Sequence, residues 1–394
     1  MYRKLKELLK KVMLIQMMYN LMFSLYRNVI AFVSNMFSVK DNKILVQAYH
    51  GKQFSCNPKY IANYIQEKNN NKFIIYVAIQ DLEKYDFLKI AGYKLVRSYS
   101  LAFYYHYITS KIIIFNDSFP ILIKRKRKQI LINTWHGCAA YKKVGISLSK
   151  NKYYTQRYKW KHDVNYMISC CKEATKAMVE AFDIKKEKIL EFGMPRNDIM
   201  INSNIYNYKE KIYKHYNLSK NKKIVLYAPT YRLSRKNSLY DLDFKMLINA
   251  LRERFGGEWV IFFRGHYFLE DNKNMNKESI INVSDYNDMQ ELLCAVDCLV
   301  TDYSSSVWDY SFTYKPCFLY ATDLENYKSE VDFYYSIDNW PFSLAKNNDE
   351  LKQNIKNFDY DVYKNKVNTH HKILGSFENG NSREQIYDLL IKRG

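Results

Sequence analysis

Gln129-Ile130-Leu131-Ile132-Asn133-Thr134-Trp135-His136-Gly137 is the stretch from which the fold can be read. Its apolar part lacks the alternation of a half-exposed strand, so it reads as a strand covered on both faces, as in parallel sheets flanked by helices. It then runs into an imidazole and a glycine, at the strand end where an open α/β sheet presents its ligand-binding edge. Similar apolar runs recur at Lys43–Tyr49, Lys72–Ile79, Lys111–Phe115, Val164–Ser169 and Lys188–Phe192, with helical patterns between them such as Pro58–Lys68 and Lys172–Phe182. This alternation predicts an α/β, doubly wound sheet.

The rhythm pauses over the polar stretch Asn202–Asn221, which reads as a boundary with little to bury, and then restarts. Lys222–Ala228, Glu258–Phe263, Ser279–Val283, Asp297–Thr301 and Pro316–Tyr320 read as strands, with helices near Asp243–Phe255 and Met289–Ala295. Two Rossmann-like halves facing across a cleft follow, each offering its carboxyl-terminal strand edge to one ligand. The expected division is an N-terminal helix in 1–40, a first domain over 41–205, a second over 206–378 and a C-terminal helix in 379–394. The last could pack on either half.

Lys and Arg number 61 against 40 Asp and Glu, a net charge of +21 that attracts polyanions, anionic lipid or phosphorylated substrates. The seven cysteines are scattered, without zinc spacing or a disulfide framework, and read as reduced cytosolic thiols. Val12 to Tyr26 carries no charge, but Gln16, Asn20 and Ser24 interrupt it, so it falls short of the roughly 20 apolar residues that span a bilayer. With the basic segment Met1–Lys11 it suits an interfacial helix on an anionic inner leaflet, and equally a helix packed on its own domain. The expected location is cytoplasmic, peripheral on the inner membrane face.

Three stretches carry chemistry. Trp135-His136-Gly137 places a candidate general base where Gly137 allows close approach. Arg264-Gly265-His266 repeats that placement in the second half, with a fixed cation and a second imidazole suited to a phosphate. Thr301-Asp302-Tyr303-Ser304-Ser305-Ser306 leaves a strand and opens a helix, offering backbone N–H groups to phosphate oxygens. Thr230 and Arg232 stand past the first strand of the second half, while Arg196 and Asn197 stand close to the hinge. Together these suggest phosphoryl transfer. The run Lys124–Lys128 reads either as a solvated surface or as a landing strip for a polyanion. Nothing matches a Walker loop, a dinucleotide GxGxxG, a zinc site or an RNA-binding motif, so no nucleic acid is expected as a partner.

In order along the chain, His50-Gly51-Lys52-Gln53-Phe54-Ser55-Cys56-Asn57-Pro58, Thr134-Trp135-His136-Gly137, Gly193-Met194-Pro195-Arg196-Asn197-Asp198, Tyr227-Ala228-Pro229-Thr230-Tyr231-Arg232, Arg264-Gly265-His266, Thr301-Asp302-Tyr303-Ser304-Ser305 with Trp308-Asp309-Tyr310, and Asn379-Gly380-Asn381-Ser382 resemble the CDP-glycerol glycerophosphotransferase family of teichoic-acid primases and polymerases. The resemblance implies a glycosyltransferase-B (GT-B) type pair of Rossmann-like domains. It implies transfer of a polyol phosphate from CDP-glycerol or CDP-ribitol to a polyol-phosphate or lipid-linked glycan acceptor, with release of CMP. The family's two important histidines fall on His136 and His266. Its donor and phosphate contacts fall around Thr230, Arg232, Arg264, Asp302, Ser304 and Ser305, and the acceptor side of the cleft takes in Trp135, Gly137, Arg196 and Asn197. Two departures lie on that acceptor side. Cys138-Ala139-Ala140-Tyr141 replaces the family's usual residues after Trp-His-Gly, and Cys56 stands where an acidic residue usually precedes Asn-Pro.

The mechanism this supports has His136 deprotonating the acceptor hydroxyl while His266, Arg264 and the Ser304–Ser305 turn hold phosphate charge. It requires no cofactor, and added Mg²⁺ is compatible with it. Two rivals are a nucleotide-sugar glycosyltransferase on the same fold and a non-catalytic binder of anionic polymer or membrane. The sequence leaves the oligomeric state open.

Overall fold

The structure, a computed structural model, describes residues 32–117, 125–148, 164–202, 205–230, 241–265 and 280–393, with 18, 22, 25, 28–30 and 123 besides. Seven strands form the first sheet: β1 (Lys40–Gln47), β2 (Ile74–Ile79), β3 (Lys94–Arg97), β4 (Ser110–Phe115), β5 (Ile130–Asn133), β6 (Tyr166–Ile168) and β7 (Ile189–Leu190). Six form the second: β8 (Lys222–Ala228), β9 (Glu258–Phe263), β10 (Ile280–Asn282), β11 (Cys298–Thr301), β12 (Cys317–Tyr320) and β13 (Ser343–Ala345). The orders are 3-2-1-4-5-6-7 and 10-9-8-11-12-13, and every pairing described is parallel. Each order reverses once, between β1 and β4 and between β8 and β11, as in doubly wound folds.

The central strands are buried through their carboxyl-terminal parts, including Ile44, Leu45 and Val46 of β1 and Ile112 to Phe115 of β4. The sequence reading missed two strands, β3 and β13. Both are edge strands in which only Val96 and Ala345, respectively, are buried, so neither makes a continuous apolar run. The polar stretch Asn202–Asn221 also differs from expectation. It contains a helix, Ile205–His215, that buries Ile212 and Tyr213 and packs on the second-half helix Met289–Ala295.

The helix Ser382–Arg393 returns to the first half and lies on α1 (Cys56–Glu67). Tyr387 meets Tyr64 with ring centroids 5.8 Å apart, and Arg383 Nε donates to Asp198 at 3.0 Å. Just before this helix, the Glu378 carboxylate accepts from Trp308 Nε1, Asn197 Nδ2 and Met194 N at 3.1, 2.9 and 3.0 Å. Burial pushes its pKa up to about 8, against the pull of those bonds.

At the seam between the halves, Arg196 and Asp309 are 1% and 2% exposed. Arg196 Nε and Nη2 donate to the two carboxylate oxygens at 3.0 Å each, Nη1 donates to Cys56 Sγ at 3.1 Å, and Gln290 Nε2 adds a bond to Asp309 at 3.1 Å. Lys59 of α1 pairs with Asp288 and Glu291, and Lys143 with Asp332. Two hydrogen bonds in a fork satisfy the enclosed charges as a pair, whereas removing one partner strands the other in a low dielectric. Asp309→Ala is therefore expected to destabilise the protein by about 3–5 kcal/mol in urea unfolding, and Arg196→Met combined with Asp309→Leu to recover most of that loss.

Candidate active site at the sheet edges

Both topological switch points are crossed by side-chain bonds. Between β1 and β4, Tyr49 N donates to Asn116 Oδ1 at 2.9 Å and His50 N donates to Asp117. Between β8 and β11, Thr230 N donates to both carboxylate oxygens of Asp302 at 2.9 Å, and Tyr303 N donates to the same carboxylate at 2.6 Å. The chain thus spends its polar groups on fixing the two places where such sheets bind ligands.

His136 follows β5, beside the first switch point. Its Nδ1 lies 2.7 Å from the Asn116 carbonyl oxygen. A carbonyl only accepts, so Nδ1 carries the proton and Nε2 keeps its lone pair. The ring is reachable from solvent through the cleft but closely surrounded by protein, with Trp135 and Tyr49 at centroid distances of 4.4 and 5.8 Å. This crowding lowers its pKa below 6.5. The nearby charges of Arg196, Lys142 and His50 act in the same direction, against the Asn116 bond. The result is a neutral imidazole whose free nitrogen can take a proton.

The backbone around it is held in an unfavourable region. Tyr49, His50, Tyr99 and Trp135, which follow β1, β3 and β5, have φ of 47, 55, 63 and 53°, and Cys56 at the start of α1 has 57°. A non-glycine residue in the left-handed region costs roughly 1 kcal/mol or more, and clustered outliers of this kind mark sites that the surrounding structure over-determines. One such brace is visible at Trp135, where Asn57 Nδ2 donates to the Thr134 and Trp135 carbonyls at 3.1 and 3.2 Å.

Gly137 brings the two halves into contact. A Cβ there would meet Ser305 Oγ at 2.5 Å, so the His136 loop lies directly on the Ser304–Ser306 turn. Within that turn Ser306 Oγ donates to Ser304 Oγ at 2.9 Å, ahead of the short helix Ser306–Ser311. Arg264 follows β9, and its Nη1 donates to the carbonyls of Val283 and Tyr286 at 3.1 and 2.6 Å. The site therefore gathers Trp135, His136 and Gly137 against Ser304 and Ser305, with Thr230 and Arg264 at the same sheet edge of the second half.

Three residues read as ligand contacts are engaged elsewhere. Asp302 holds Thr230, while Arg196 and Asn197 are buried in the seam, paired with Asp309 and Glu378. Arg232 and His266 lie outside the described residues. The structure adds His50, Asn116 and Asp117. His50 Nδ1 is 2.8 Å from Tyr99 Oη and its Nε2 is 3.6 Å from Asp117. Asn116 Nδ2 and Asp117 Oδ1 are buried without a hydrogen-bond partner, a donor and an acceptor at adjacent positions. An Asn-Asp pair at a strand end, Ile114-Phe115-Asn116-Asp117, was the available signal. It is weak because such pairs are also ordinary turn residues.

The His136 geometry predicts a titration. Since the folded environment lowers the pKa, the ring stays neutral through pH 7 and protonates below 6.5. The Cε1 proton resonance that disappears in His136→Gln should show its midpoint there, and a midpoint at or above 6.5 would contradict the crowded, Nδ1-protonated arrangement.

The family model described as CDP-glycerol:poly(glycerophosphate) glycerophosphotransferase matches residues 29–392. The teichoic acid poly(glycerol phosphate) polymerase of Staphylococcus epidermidis is 30% identical over 90% of this chain, which spans about half, 51%, of that relative. A protein of the same name from Bacillus spizizenii is 29% identical over 89% of this chain and 92% of its own length. A solved structure of the wall teichoic acid polymerase TagF superposes with a TM-score of 0.80 at 28% identity, covering 94% of this chain and 92% of that one. The UDP-GlcNAc 2-epimerase of Neisseria meningitidis, 11% identical with a TM-score of 0.51 over 89% of this chain and 100% of its own, shares the fold alone. With the match running through both sheets and all the strand-end residues above, the chain belongs to the CDP-glycerol:poly(glycerophosphate) glycerophosphotransferase family and has a GT-B type architecture.

Proposed function

We propose that the protein transfers a polyol phosphate, glycerol phosphate in the first instance, from a CDP-activated donor to an acceptor hydroxyl in teichoic-acid synthesis, releasing CMP. The observation that carries this reading is the His136 imidazole, its Nδ1 held 2.7 Å from the Asn116 carbonyl oxygen and its loop seated on the Ser304–Ser305 turn. In the proposed reaction Nε2 of His136 takes the proton of the acceptor hydroxyl as that oxygen attacks the β-phosphorus in line. The CMP phosphate leaves, and Arg264 with the Ser304–Ser305 turn faces the charge that develops. His266 and Arg232 are assigned to the donor phosphates by family resemblance. Relatives named as ribitol-phosphate enzymes make CDP-ribitol the alternative donor.

CDP-glycerol, CDP-ribitol and UDP- or GDP-sugars should be offered in turn with a polyol-phosphate acceptor. CMP release is expected from a CDP-polyol only. A general base contributes about 10²–10⁴-fold, so His136→Ala should lose about that much kcat/KM while remaining folded, and His266→Ala should lose most of the activity. Turnover of a nucleotide sugar, or full activity in both variants, would end this reading.

The same reading puts the enzyme on an anionic membrane surface. Among the described residues no helix is long and apolar enough to cross a membrane. Among the described residues ahead of β1, however, Met18, Met22, Leu25, Val29, Phe32 and Met36 are exposed and recur every three or four residues, the spacing of an apolar stripe on a helix. Lys126 Nζ donates to the Phe37 carbonyl, which ties the basic run Arg125–Lys128 to the end of this segment. An apolar stripe beside basic residues is the chemistry of an interfacial helix, and each cation near an anionic surface adds about 1 kcal/mol. Leu25→Ser, Phe32→Ser and Met36→Ser together should reduce co-sedimentation with phosphatidylglycerol vesicles by about tenfold or more, a loss of about 1.4 kcal/mol. Unchanged binding would exclude this surface.

A further inference from the structure

Cys138, Cys170 and Cys171, scattered in sequence, come together in the first half. Their three Sγ atoms lie within 4.8 Å of one another, with Cys170 and Cys171 Sγ at 3.9 Å, and all three residues are buried. Cys138 is the second residue after His136, while Cys170 and Cys171 join β6 to the helix Lys172–Phe182. Cys171 is the N-cap of that helix, and its sulfur accepts from Ala174 N at 3.4 Å.

Chemistry narrows what three enclosed thiols can hold. Structural zinc takes four ligands, and among the described residues no histidine, carboxylate or fourth thiol joins the group. A monovalent or divalent cation on three thiolates leaves net negative charge inside an apolar shell, which is costly to bury unpaired. A trivalent centre on three thiolates is neutral and needs no fourth ligand.

We infer that Cys138, Cys170 and Cys171 form a three-thiol site for trivalent arsenic, taken up as arsenous acid, that ties the His136 loop to the helix beginning at Lys172. The exchange is balanced without any redox step. Three As–O bonds are replaced by three As–S bonds, each thiol proton leaves with a hydroxyl as water, and arsenic remains trivalent. Cys171 attacks first. Its sulfur stands at the N-terminus of the helix Lys172–Phe182, where the Ala174 N–H already points at it and a thiolate is favoured.

The site is tested on the full-length reduced protein, independently of any transferase activity. Incubation with sodium arsenite should give, by native mass spectrometry, one adduct whose mass corresponds to arsenous acid less three waters. Peptide mapping should link the segment holding Cys138 to the one holding Cys170 and Cys171. Cys171→Ser and Cys138→Ser should each abolish the three-water-loss species and weaken arsenite retention by about tenfold or more, since a chelating thiol is lost. Cys317→Ser, which changes a buried thiol of the other half, should leave it intact. The inference is overturned if the wild-type protein forms no such adduct, if the linked peptides carry Cys294, Cys298 or Cys317, or if the adduct persists in folded Cys171→Ser. Mapping on the wild-type chain keeps the test decisive even where a variant fails to fold.

Discussion

The fork between Arg196 and Asp309 is the contact on which the architecture turns. Arg196 stands just past the last strand of the first sheet and Asp309 on the short helix that follows β11, so one buried pair joins the ends of the two Rossmann-like halves. Its surroundings reach the His136 loop directly. The backbone N–H of Arg196 donates to Asn57 Oδ1 at 3.2 Å, and the Asn57 amide clamps the carbonyls of Thr134 and Trp135. The seam therefore fixes the peptide that positions His136. A buried ion pair stabilises less than packed apolar side chains would, but its fork geometry admits one register, and here that register sets the His136 loop.

Strain and tautomer are two consequences of that fixing. Trp135 in the left-handed region turns the chain sharply after β5, which lets His136 reach back to the Asn116 carbonyl beside it. Without that acceptor the two neutral tautomers would be of similar energy and only one would present Nε2 as a base. The cost of the turn, about 1–3 kcal/mol for such a residue, is offset by the Asn57 and Asn133 bonds that hold Trp135 on both sides.

Much of this could be read in the sequence because buried parallel strands write themselves as unbroken apolar runs. Lys222–Ala228 and Glu258–Phe263 have the bounds read from their apolar runs, and the strand ends carrying His136, Arg264 and Asp302 followed. Edge strands such as Lys94–Arg97 bury one position in four and leave no such run. The roles of individual polar residues were harder to see. Arg196 and Asn197 are close to the cleft in sequence terms, yet their side chains are buried in the seam, and only the partner positions Asp309 and Glu378, over 100 residues away, could reveal it. The meeting of His50 with Asn116 and Asp117 was hidden for a related reason, since it depends on the jump in strand order between β1 and β4 rather than on spacing along the chain.

The seam also accounts for where the acidic residues of the second half are held. Among the described residues, every ion pair between the two sheet-bearing halves places the cation on the first half and the acid on the second: Lys59 with Asp288 and Glu291, Lys143 with Asp332, Arg196 with Asp309. Burial alone would raise the Glu291 pKa. Lys59, aided by bonds from Lys211 and Tyr286, instead lowers it to about 2, which keeps that acid ionised and paired at any pH where the protein works. Asp302, the acid nearest the Ser304–Ser305 turn, is directed at backbone and hydroxyl donors of Thr230 and Tyr303. Negative charge on the second half is thus absorbed by interdomain pairing and by N–H groups, while Arg264 stays at the sheet edge. The fixed polarity of the pairing helps choose the docking register, and it leaves the seam acids of the second half neutralised by partners.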